Sequence, residues 1–357
     1  MKNILTVIGT RPEAIKLIPL VTELNNSSFL KNKTCITKQH SILLDSFNIK
    51  ADYQFKPCKK NSSLSESAAH MLLQFNNLLE QETPDLIIVQ GDTTTAFMAA
   101  LAGFYAKLKV AHIEAGLRSG NLYSPWPEEA HRIIVDKISD YFFAPTEIAK
   151  QCLINEGVKE ERIWVVGNTA IDAVRIIKTN NKSSPDIDKK TIVVTLHRRE
   201  NHGFPLVNIC NAIRLIAEDF SDINIKFCMH PNPSVHNKVR EVLSGIGNIE
   251  LLPALDHTEF IELLNESLFV ITDSGGIQEE STFLGKPVLI TRDTTERIEL
   301  IDAGTGILVG SNTGKIVKHC RMLLKDNDLL SKMSKIHFPY GDGYASDRIV
   351  KILEQIL

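Results

Sequence analysis

Short apolar runs rich in Val and Ile recur along the chain, and each is followed by Gly, Asp or Ser and then by a segment with helical spacing. Near-continuous apolarity over so few residues is typical of strands covered on both faces, as in a parallel sheet with helices above and below. The alternation of these strands with helices predicts an α/β protein. The clearest runs lie at residues 4–9, 86–92, 110–116, 191–197, 268–276 and 287–293.

The series of strands and helices occurs twice along the chain. A polar stretch at 180–190, NNKSSPDIDKK, separates the two occurrences and is predicted to be a linker region, because it has neither strand nor helix periodicity. Each half would then form a doubly wound domain, in which ligands bind beyond the carboxyl ends of the strands. We therefore expect the ligand in the cleft between two domains.

The length and charge of the chain agree with this organisation. Its 357 residues exceed the usual size of one domain, so two domains are the natural expectation. The formal net charge is only −3, which gives no electrostatic footprint for nucleic acid or for an anionic membrane. We expect neither as a partner, and any bound anion must be met by local positive groups.

The cysteines and the first residues bear on the cellular compartment. The 6 cysteines are scattered, without the CxxC pairs typical of metal sites or the tight frameworks of secreted domains. The opening segment MKNILTVIG has one lysine and an apolar run that ends at Gly9, too short for a signal peptide or a membrane span. We expect a cytoplasmic protein with reduced cysteines.

The first strand leads into GTRPEAIK (9–16), which has the features of a phosphate site. Gly9 permits a tight turn, Pro12 suits the first helical turn, and Arg11 and Lys16 add two cations near the helix start. A helix N-terminus with two cations is suited to a phosphate. The alternative is a solvated basic turn.

The segment TDSGGIQEE (272–280) has the same features in the second half. Ser274, Gly275 and Gly276 follow a strand and open a helix, so their backbone N–H groups can approach a diphosphate. Glu280, one turn later, offers two acceptor oxygens for the 2′ and 3′ hydroxyls of a ribose. The alternative is a plain turn with a solvated glutamate.

Further basic residues follow other strands of the second half. TLHRREN (195–201) places His197, Arg198 and Arg199 at a strand end, where cations would bind or stabilise a departing diphosphate. Taken alone, an arginine pair is more often part of a surface salt bridge. HPNP (230–233) and RDTTER (292–297) add His230, Arg292 and Arg297.

Three acids are the strongest candidates for catalysis. Asp92 and Glu114 each stand where a buried apolar strand ends, and unpaired acids are costly there. Glu128 follows Pro127 at a predicted helix start, where Glu128 or Glu129 could instead be only a partner of the helix dipole, the interpretation preferred for Glu129. Acids beside a phosphate-binding cleft suggest proton transfer at a sugar carbon, from both faces of the ring.

A set of motifs occurs in order along nearly the whole chain: GTRPEAIK, QGDTTT, HIEAGLRS, PWPEEAHR, VVGNTAIDA, LHRREN, HPNP, SGGIQEE and RDTTER. In this set the chain resembles the non-hydrolysing UDP-N-acetylglucosamine 2-epimerases. The resemblance implies two Rossmann-like doubly wound domains in the GT-B arrangement with an interdomain cleft, and a homodimer. The domains would be 1–168 and 169–337, with a C-terminal helix, 338–357, packing back on the first.

The resemblance also implies roles for individual residues. The family's catalytic positions fall on Asp92, Glu114, Glu128 and His197. Its nucleotide contacts fall on Arg11, Lys16, Phe260, Ser274, Gly275, Gly276, Glu280 and Arg297. The segment around Phe260 would equally make that ring a helix core residue. His131 departs from the family pattern, which usually has Asn there.

The implied reaction interconverts UDP-N-acetylglucosamine and UDP-N-acetylmannosamine. The hydrogen on C2 lies beside an amide nitrogen, so its loss must be coupled to departure of UDP, giving 2-acetamidoglucal, followed by re-addition of UDP. One base and one acid are needed on opposite faces of C2. We expect no metal and no cofactor, since the chain's own cations can meet the diphosphate charge.

Three alternatives stay open at this point. A hydrolysing 2-epimerase would release N-acetylmannosamine and UDP, although the PEE and GLRS segments argue against it. A GT-B glycosyltransferase would share the UDP loop but need an acceptor site. A non-catalytic sensor would bind the UDP-sugar without exchanging the C2 hydrogen.

Overall fold

The computed structural model describes residues 1–37, 51–59, 62–180, 190–229, 232–295, 297–335 and 338–357. The chain forms two compact units, Met1–Ala173 with Tyr340–Leu357, and Val174–Pro339. Most of the predicted linker, residues 181–189, lies outside the described residues. None of the helices among the described residues combines the length and the apolar character of a membrane span.

The first unit contains a parallel sheet of 7 strands in its described residues, in the order β3-β2-β1-β4-β5-β6-β7. Apolar side chains cover both faces of the sheet, so the strands are buried as predicted. The strands are β1 Lys2–Ile8, β2 Leu30–Ile36, β3 Tyr53–Gln54, β4 Leu86–Gln90, β5 Lys109–Ile113, β6 Tyr141–Ala144 and β7 Ile163–Val165.

Several helices of the first unit start at residues with typical capping chemistry. Thr10 caps α1, with Pro12 in the first turn, and Ser63 and Glu66 form a capping box at α2. The helices are α1 Arg11–Asn26, α2 Leu64–Gln81, α3 Thr94–Tyr105, α4 Glu128–Ile138, α5 Glu147–Asn155 and α6 Thr169–Asn180, which contains the boundary between the units.

The last helix of the chain, α14 (Ala345–Ile356), completes the core of the first unit. Its buried Ile349 and Leu353 belong to the same apolar cluster as Leu17 and Leu24 of α1. The end of the chain is therefore as much a part of this unit as its beginning.

The second unit has a parallel sheet of 6 strands in its described residues, in the order β10-β9-β8-β11-β12-β13. The prediction of an α/β protein with two parallel, doubly wound sheets is thus confirmed. The strands are β8 Thr191–Thr195, β9 Asn224–Cys228, β10 Ile249–Leu252, β11 Phe269–Thr272, β12 Val288–Ile290 and β13 Gly306–Leu308. The helices are α7 Phe204–Asp219, α8 Pro233–Leu243, α9 His257–Glu266, α10 Gly275–Phe283, α11 Ile298–Asp302, α12 Thr313–Lys325 and α13 Asn327–Met333.

Candidate active site

Strand order locates the candidate residues in each unit. The order reverses between β1 and β4 in the first sheet and between β8 and β11 in the second, and ligands of doubly wound sheets bind beyond the carboxyl ends of such strands. The loops that follow these strands carry the sequence motifs. They begin at Gly9, Gly91, Leu196 and Asp273.

In the first unit, Gly9 lets the end of β1 lie directly against the start of α3. A Cβ atom at Gly9 would come within 2.3 Å of Oγ1 of Thr95. Side chains that follow β1 and β4 are therefore held close together, which explains why this position has no side chain.

Glu114 forms an ion pair with Lys16 just beyond the end of β5. Lys16 Nζ lies 2.6 Å from Glu114 Oε2, and the carboxylate also accepts hydrogen bonds from Gln90 and, at 3.4 Å, from Asn168 Nδ2. The residue is buried and has φ +67°, a left-handed conformation that is uncommon for a residue with a side chain. Strained backbone at a buried, paired acid is characteristic of functional sites.

Asp92 is held by a different cation. Arg132 of α4 donates from Nε at 3.1 Å and from Nη2 to Oδ2 of Asp92, and His131 Nδ1 lies 3.1 Å from its backbone carbonyl oxygen. Arg132 Nη1 also donates to Glu129 at 2.9 Å. Glu129 lies in the first turn of α4 as expected, but it is buried and accepts the N–H of Ser119 at 2.8 Å, so it is more than a partner of the helix dipole.

The other predicted residues of the first unit stand at helix starts. Glu128 is the first residue of α4 and is half-buried. Arg11 is the first residue of α1 and is exposed. Both are therefore accessible at the ends of helices that begin on the carboxyl side of the sheet.

One carboxylic acid of the first unit that sequence reasoning did not select, Glu13, is hydrogen-bonded to the loops after β1 and β4. It is 2% exposed, and its two oxygens accept hydrogen bonds from the hydroxyls of Thr10 and Thr93, each at 2.7 Å. Burial, only partly offset by these hydrogen bonds, raises the pKa of Glu13 to about 7.

A second group that sequence reasoning missed, His112, supports the loop after β4. His112 of β5 lies with Nδ1 2.6 Å from Asp136 and Nε2 2.8 Å from the carbonyl oxygen of Gly91. Asp136 also pairs with Arg118 at 2.8 Å. Burial alone would raise the pKa of Asp136, but His112 and Arg118 together hold it below its ordinary value.

In the second unit, Asp273 fixes the loop that carries His197. Its carboxylate accepts the backbone N–H of His197 at 2.8 Å, that of Arg198 at 3.1 Å and the side-chain amide of Asn201 at 2.8 Å. The ring of His197 is placed by Thr195, whose Oγ1 lies 2.5 Å from Nε2. The buried Asp273 therefore joins the histidine loop to the glycine-rich turn that follows β11.

The glycine-rich turn opens α10. Ser274 is its N-cap residue and Gly275 and Gly276 are its first two residues, so these backbone N–H groups have no partner within the helix. A Cβ atom at Gly275 would lie 2.7 Å from Cζ of Arg297. Arg297 in turn donates from Nε to Glu279 at 2.9 Å, which holds its guanidinium over the start of the helix.

Two more predicted residues of this unit have defined surroundings. Glu280 Oε1 lies 3.0 Å from His257 Nε2 at the start of α9. Phe260 is 9% exposed and belongs to an apolar cluster with Ile261 and Leu264, so its ring packs as a helix core residue and its contact with a base stays a prediction. His230 lies outside the described residues.

The predicted residues thus fall into two sets. Lys16 and Glu114 are in direct contact in the first unit, which also carries Arg11, Asp92 and Glu128. The second unit carries His197, Arg198, Phe260, Ser274, Gly275, Gly276, Glu280 and Arg297. Within the described ranges, no group of His, Cys, Asp and Glu side chains has the arrangement of a metal site.

Comparison with known proteins identifies the family. The family model described as UDP-N-acetylglucosamine 2-epimerase matches residues 22–354. A protein of that name from Yersinia pestis is 44% identical to this chain over an alignment 369 residues long. The alignment covers 99% of this chain and 98% of the relative.

Solved structures agree with this match. The crystal structure of the UDP-N-acetylglucosamine 2-epimerase from Neisseria meningitidis bound to UDP-N-acetylglucosamine is 42% identical, covers 99% of this chain and 100% of that one, and superposes with a TM-score of 0.93. The enzyme of Methanocaldococcus jannaschii in complex with UDP-N-acetylglucosamine and UDP is 33% identical, with a TM-score of 0.84 and 99% coverage of both chains. On this similarity in sequence and fold, the chain belongs to the UDP-N-acetylglucosamine 2-epimerase family.

Proposed function

We propose that this protein inverts C2 of UDP-N-acetylglucosamine, giving UDP-N-acetylmannosamine without net hydrolysis. The observation that carries the proposal is the presence of two acids, Asp92 and Glu114, after neighbouring strands of one sheet and each paired with its own cation. Two separately held carboxylates are what a reaction with proton transfer on both faces of one carbon requires. The M. jannaschii and N. meningitidis relatives solved with UDP-N-acetylglucosamine support the choice of substrate.

The proposed reaction has two halves that mirror one another. In the first, a carboxylate takes the proton from C2 while the bond between C1 and the β-phosphate oxygen breaks, which gives 2-acetamidoglucal and UDP. In the second, UDP returns to C1 and another acid delivers a proton to the opposite face of C2. Asp92, Glu114 and Glu128 supply these groups, and His197 stabilises the departing diphosphate.

The second unit would hold UDP through its departure. The N–H groups at the start of α10, together with Arg297, suit the diphosphate, because a helix N-terminus and a guanidinium both favour negative charge. Glu280, beside His257, suits the ribose hydroxyls. Arg11 and Lys16 of the first unit add positive charge at the start of α1.

Incubation with UDP-N-acetylglucosamine in deuterated water, followed by NMR, tests the proposal. We expect UDP-N-acetylmannosamine with deuterium at C2 as the main product. Free N-acetylmannosamine as the main product would instead identify a hydrolysing enzyme, and a requirement for an acceptor would identify a glycosyltransferase.

The variant Asp92→Asn tests the role of one acid. It should abolish the exchange of the C2 hydrogen with solvent while UDP binding is retained, and unimpaired turnover would remove Asp92 from the catalytic set.

We also propose that the protein is a cytoplasmic homodimer. Three large apolar side chains of α2 and α3, Leu73, Phe104 and Tyr105, are exposed in the single chain, and a second copy would cover them. Sedimentation velocity should give the mass of two chains, and Phe104→Glu should shift the equilibrium to the monomer. A monomeric wild-type protein would contradict the dimer.

A further inference from the structure

Glu13 joins two loops that come from different strands. Thr10, which follows β1, caps α1 by accepting the N–H of Glu13 at 3.5 Å, and Thr93, which follows β4, caps α3 by accepting the N–H of Ala96 at 3.1 Å. The hydroxyls of both threonines donate to the carboxyl group of Glu13 at 2.7 Å. One buried side chain therefore holds the caps of two helices.

The link that Glu13 makes between Thr10 and Thr93 lies next to two of the predicted site residues, Asp92 and Lys16. Asp92 is the residue next to Thr93 in the chain, and its charge is close enough to Glu13 to raise the pKa of Glu13 further. Lys16 lies on the helix that Thr10 caps. A bridge between the two caps consequently fixes the backbone from which both Asp92 and Lys16 project.

Helix capping alone does not require such a carboxyl group. Thr146 caps α5 in the same unit by accepting the N–H of Ala149 at 3.2 Å, and within the described part of the chain its hydroxyl makes no hydrogen bond to a carboxylate. Burying a carboxyl group is costly, and capping of α1 and α3 by Thr10 and Thr93 does not require one. The buried Glu13 therefore points to a role beyond helix capping.

We propose that Glu13 is a positioning residue of the epimerase site, which sets the placement of Asp92 through Thr93 and of Lys16 through Thr10. This inference rests on the proposed function, because it assumes that Asp92 takes part in proton transfer. The side chain acts through the two threonines and does not itself contact the substrate.

Misplacement of a catalytic group by about 1 Å can cost about 100-fold in rate, so the effect should be visible in kcat. For Glu13→Ala, which removes both hydrogen bonds, we expect kcat to fall about 10- to 100-fold with KM within about threefold of wild type. Glu13→Gln keeps the shape and at least one hydrogen bond, and should fall less than about fivefold.

Thr93 offers a matched pair of variants, and Thr146 offers their control. Thr93→Val removes the hydroxyl at nearly constant volume and should lower kcat about tenfold, whereas Thr93→Ser keeps the hydroxyl and should restore it. Thr146→Val removes a cap of the same kind and should lower the urea midpoint of unfolding, with kcat unchanged. Equal losses of kcat in Thr93→Val and Thr146→Val, or a wild-type kcat in Glu13→Ala, would overturn the inference.

Amide hydrogen exchange tests the positioning without reference to turnover. Peptides that cover residues 90–95 should exchange faster in Glu13→Ala than in wild type, and at the wild-type rate in Thr146→Val. Unchanged exchange in Glu13→Ala would reject the bridge even if activity fell. Wild-type protein that fails to epimerise would instead reject the proposed function, so the two failures are distinguishable.

Discussion

Arg132 donates two of its guanidinium N–H groups to a single carboxylate oxygen of Asp92. The third guanidinium nitrogen, Nη1, donates a hydrogen bond to Glu129, one turn earlier on α4. The carboxylate of Asp92 is therefore oriented by a helix that begins with Glu128, another of the proposed catalytic acids. Two acids of the site are thus tied to one rigid element.

Arg132→Lys should separate charge from orientation at this pair. Lysine keeps the positive charge but cannot reproduce the fork, so we expect kcat to fall about 10- to 100-fold while the dissociation constant of UDP changes less than about twofold. Steady-state kinetics and calorimetric titration with UDP measure the two quantities. Arg162→Lys is the control, because Arg162 in the same unit donates to the backbone oxygens of Asp140 and Ser139. A wild-type kcat in Arg132→Lys would show that the paired hydrogen bonds from Arg132 to Asp92 are not needed for catalysis.

Lys16→Met should inactivate the enzyme by leaving Glu114 buried without its cation. We expect kcat/KM to fall at least about 100-fold, since an unpaired charge in such a site costs several kcal/mol. Lys33→Met removes an ion pair of similar length, 2.7 Å to Glu82, in which both side chains are about one-third exposed. That control should keep wild-type activity, because exposed pairs contribute little. Comparable losses in the two variants would show that Lys16 acts only through general destabilisation.

Gly275→Ala should weaken UDP binding without unfolding the second unit. The added methyl group would meet the guanidinium of Arg297 at 2.7 Å and displace it from the start of α10. We expect the dissociation constant of UDP to rise about tenfold, the cost of roughly one charge-assisted hydrogen bond. Gly247→Ala in the same unit is the control, because a Cβ atom there has open space around it. Unchanged UDP affinity in Gly275→Ala would remove Arg297 from the proposed diphosphate site.

Glu13 should make the stability of the first unit depend on pH. Its pKa is raised from 4.5 to about 7 in the folded chain, so between these values the folded state binds more protons than the unfolded state. The free energy of unfolding should therefore fall as pH rises through this window, by about 3 kcal/mol relative to Glu13→Gln, and level off above it.

Urea unfolding at several pH values measures this difference. The only 2 tryptophans of the chain, Trp126 and Trp164, both belong to the first unit, so their fluorescence reports on that unit. If the free energy of unfolding has the same pH dependence in wild type and in Glu13→Gln, Glu13 has the same pKa in the folded and the unfolded chain.

The fold and part of the site could be predicted because their signals are local in the sequence. Buried parallel strands appear as short apolar runs, and an acid within two residues of the end of such a run, as Asp92 and Glu114 are, has few structural reasons to be there. Gly275 and Gly276 were recognisable for the same reason, since a glycine pair between strand and helix has a specific use at a phosphate.

The supporting residues could not be predicted because their partners are distant in the sequence. Thr93 is 80 residues from Glu13, and Arg132 is 40 residues from Asp92. Read locally, Glu13 is an ordinary first-turn acid and Arg132 an ordinary helix residue. Only the order of the strands brings each pair together, and a single sequence does not display that order.

The packing of α14 on α1 has a consequence for synthesis of the chain. All residues of the second unit, Val174–Pro339, have been translated before Ile349 and Leu353 exist, yet the first unit needs these two to close its core around Leu17 and Leu24. Domains usually fold in the order in which they leave the ribosome. Here the first unit cannot complete its core until the whole of the second unit has been synthesised.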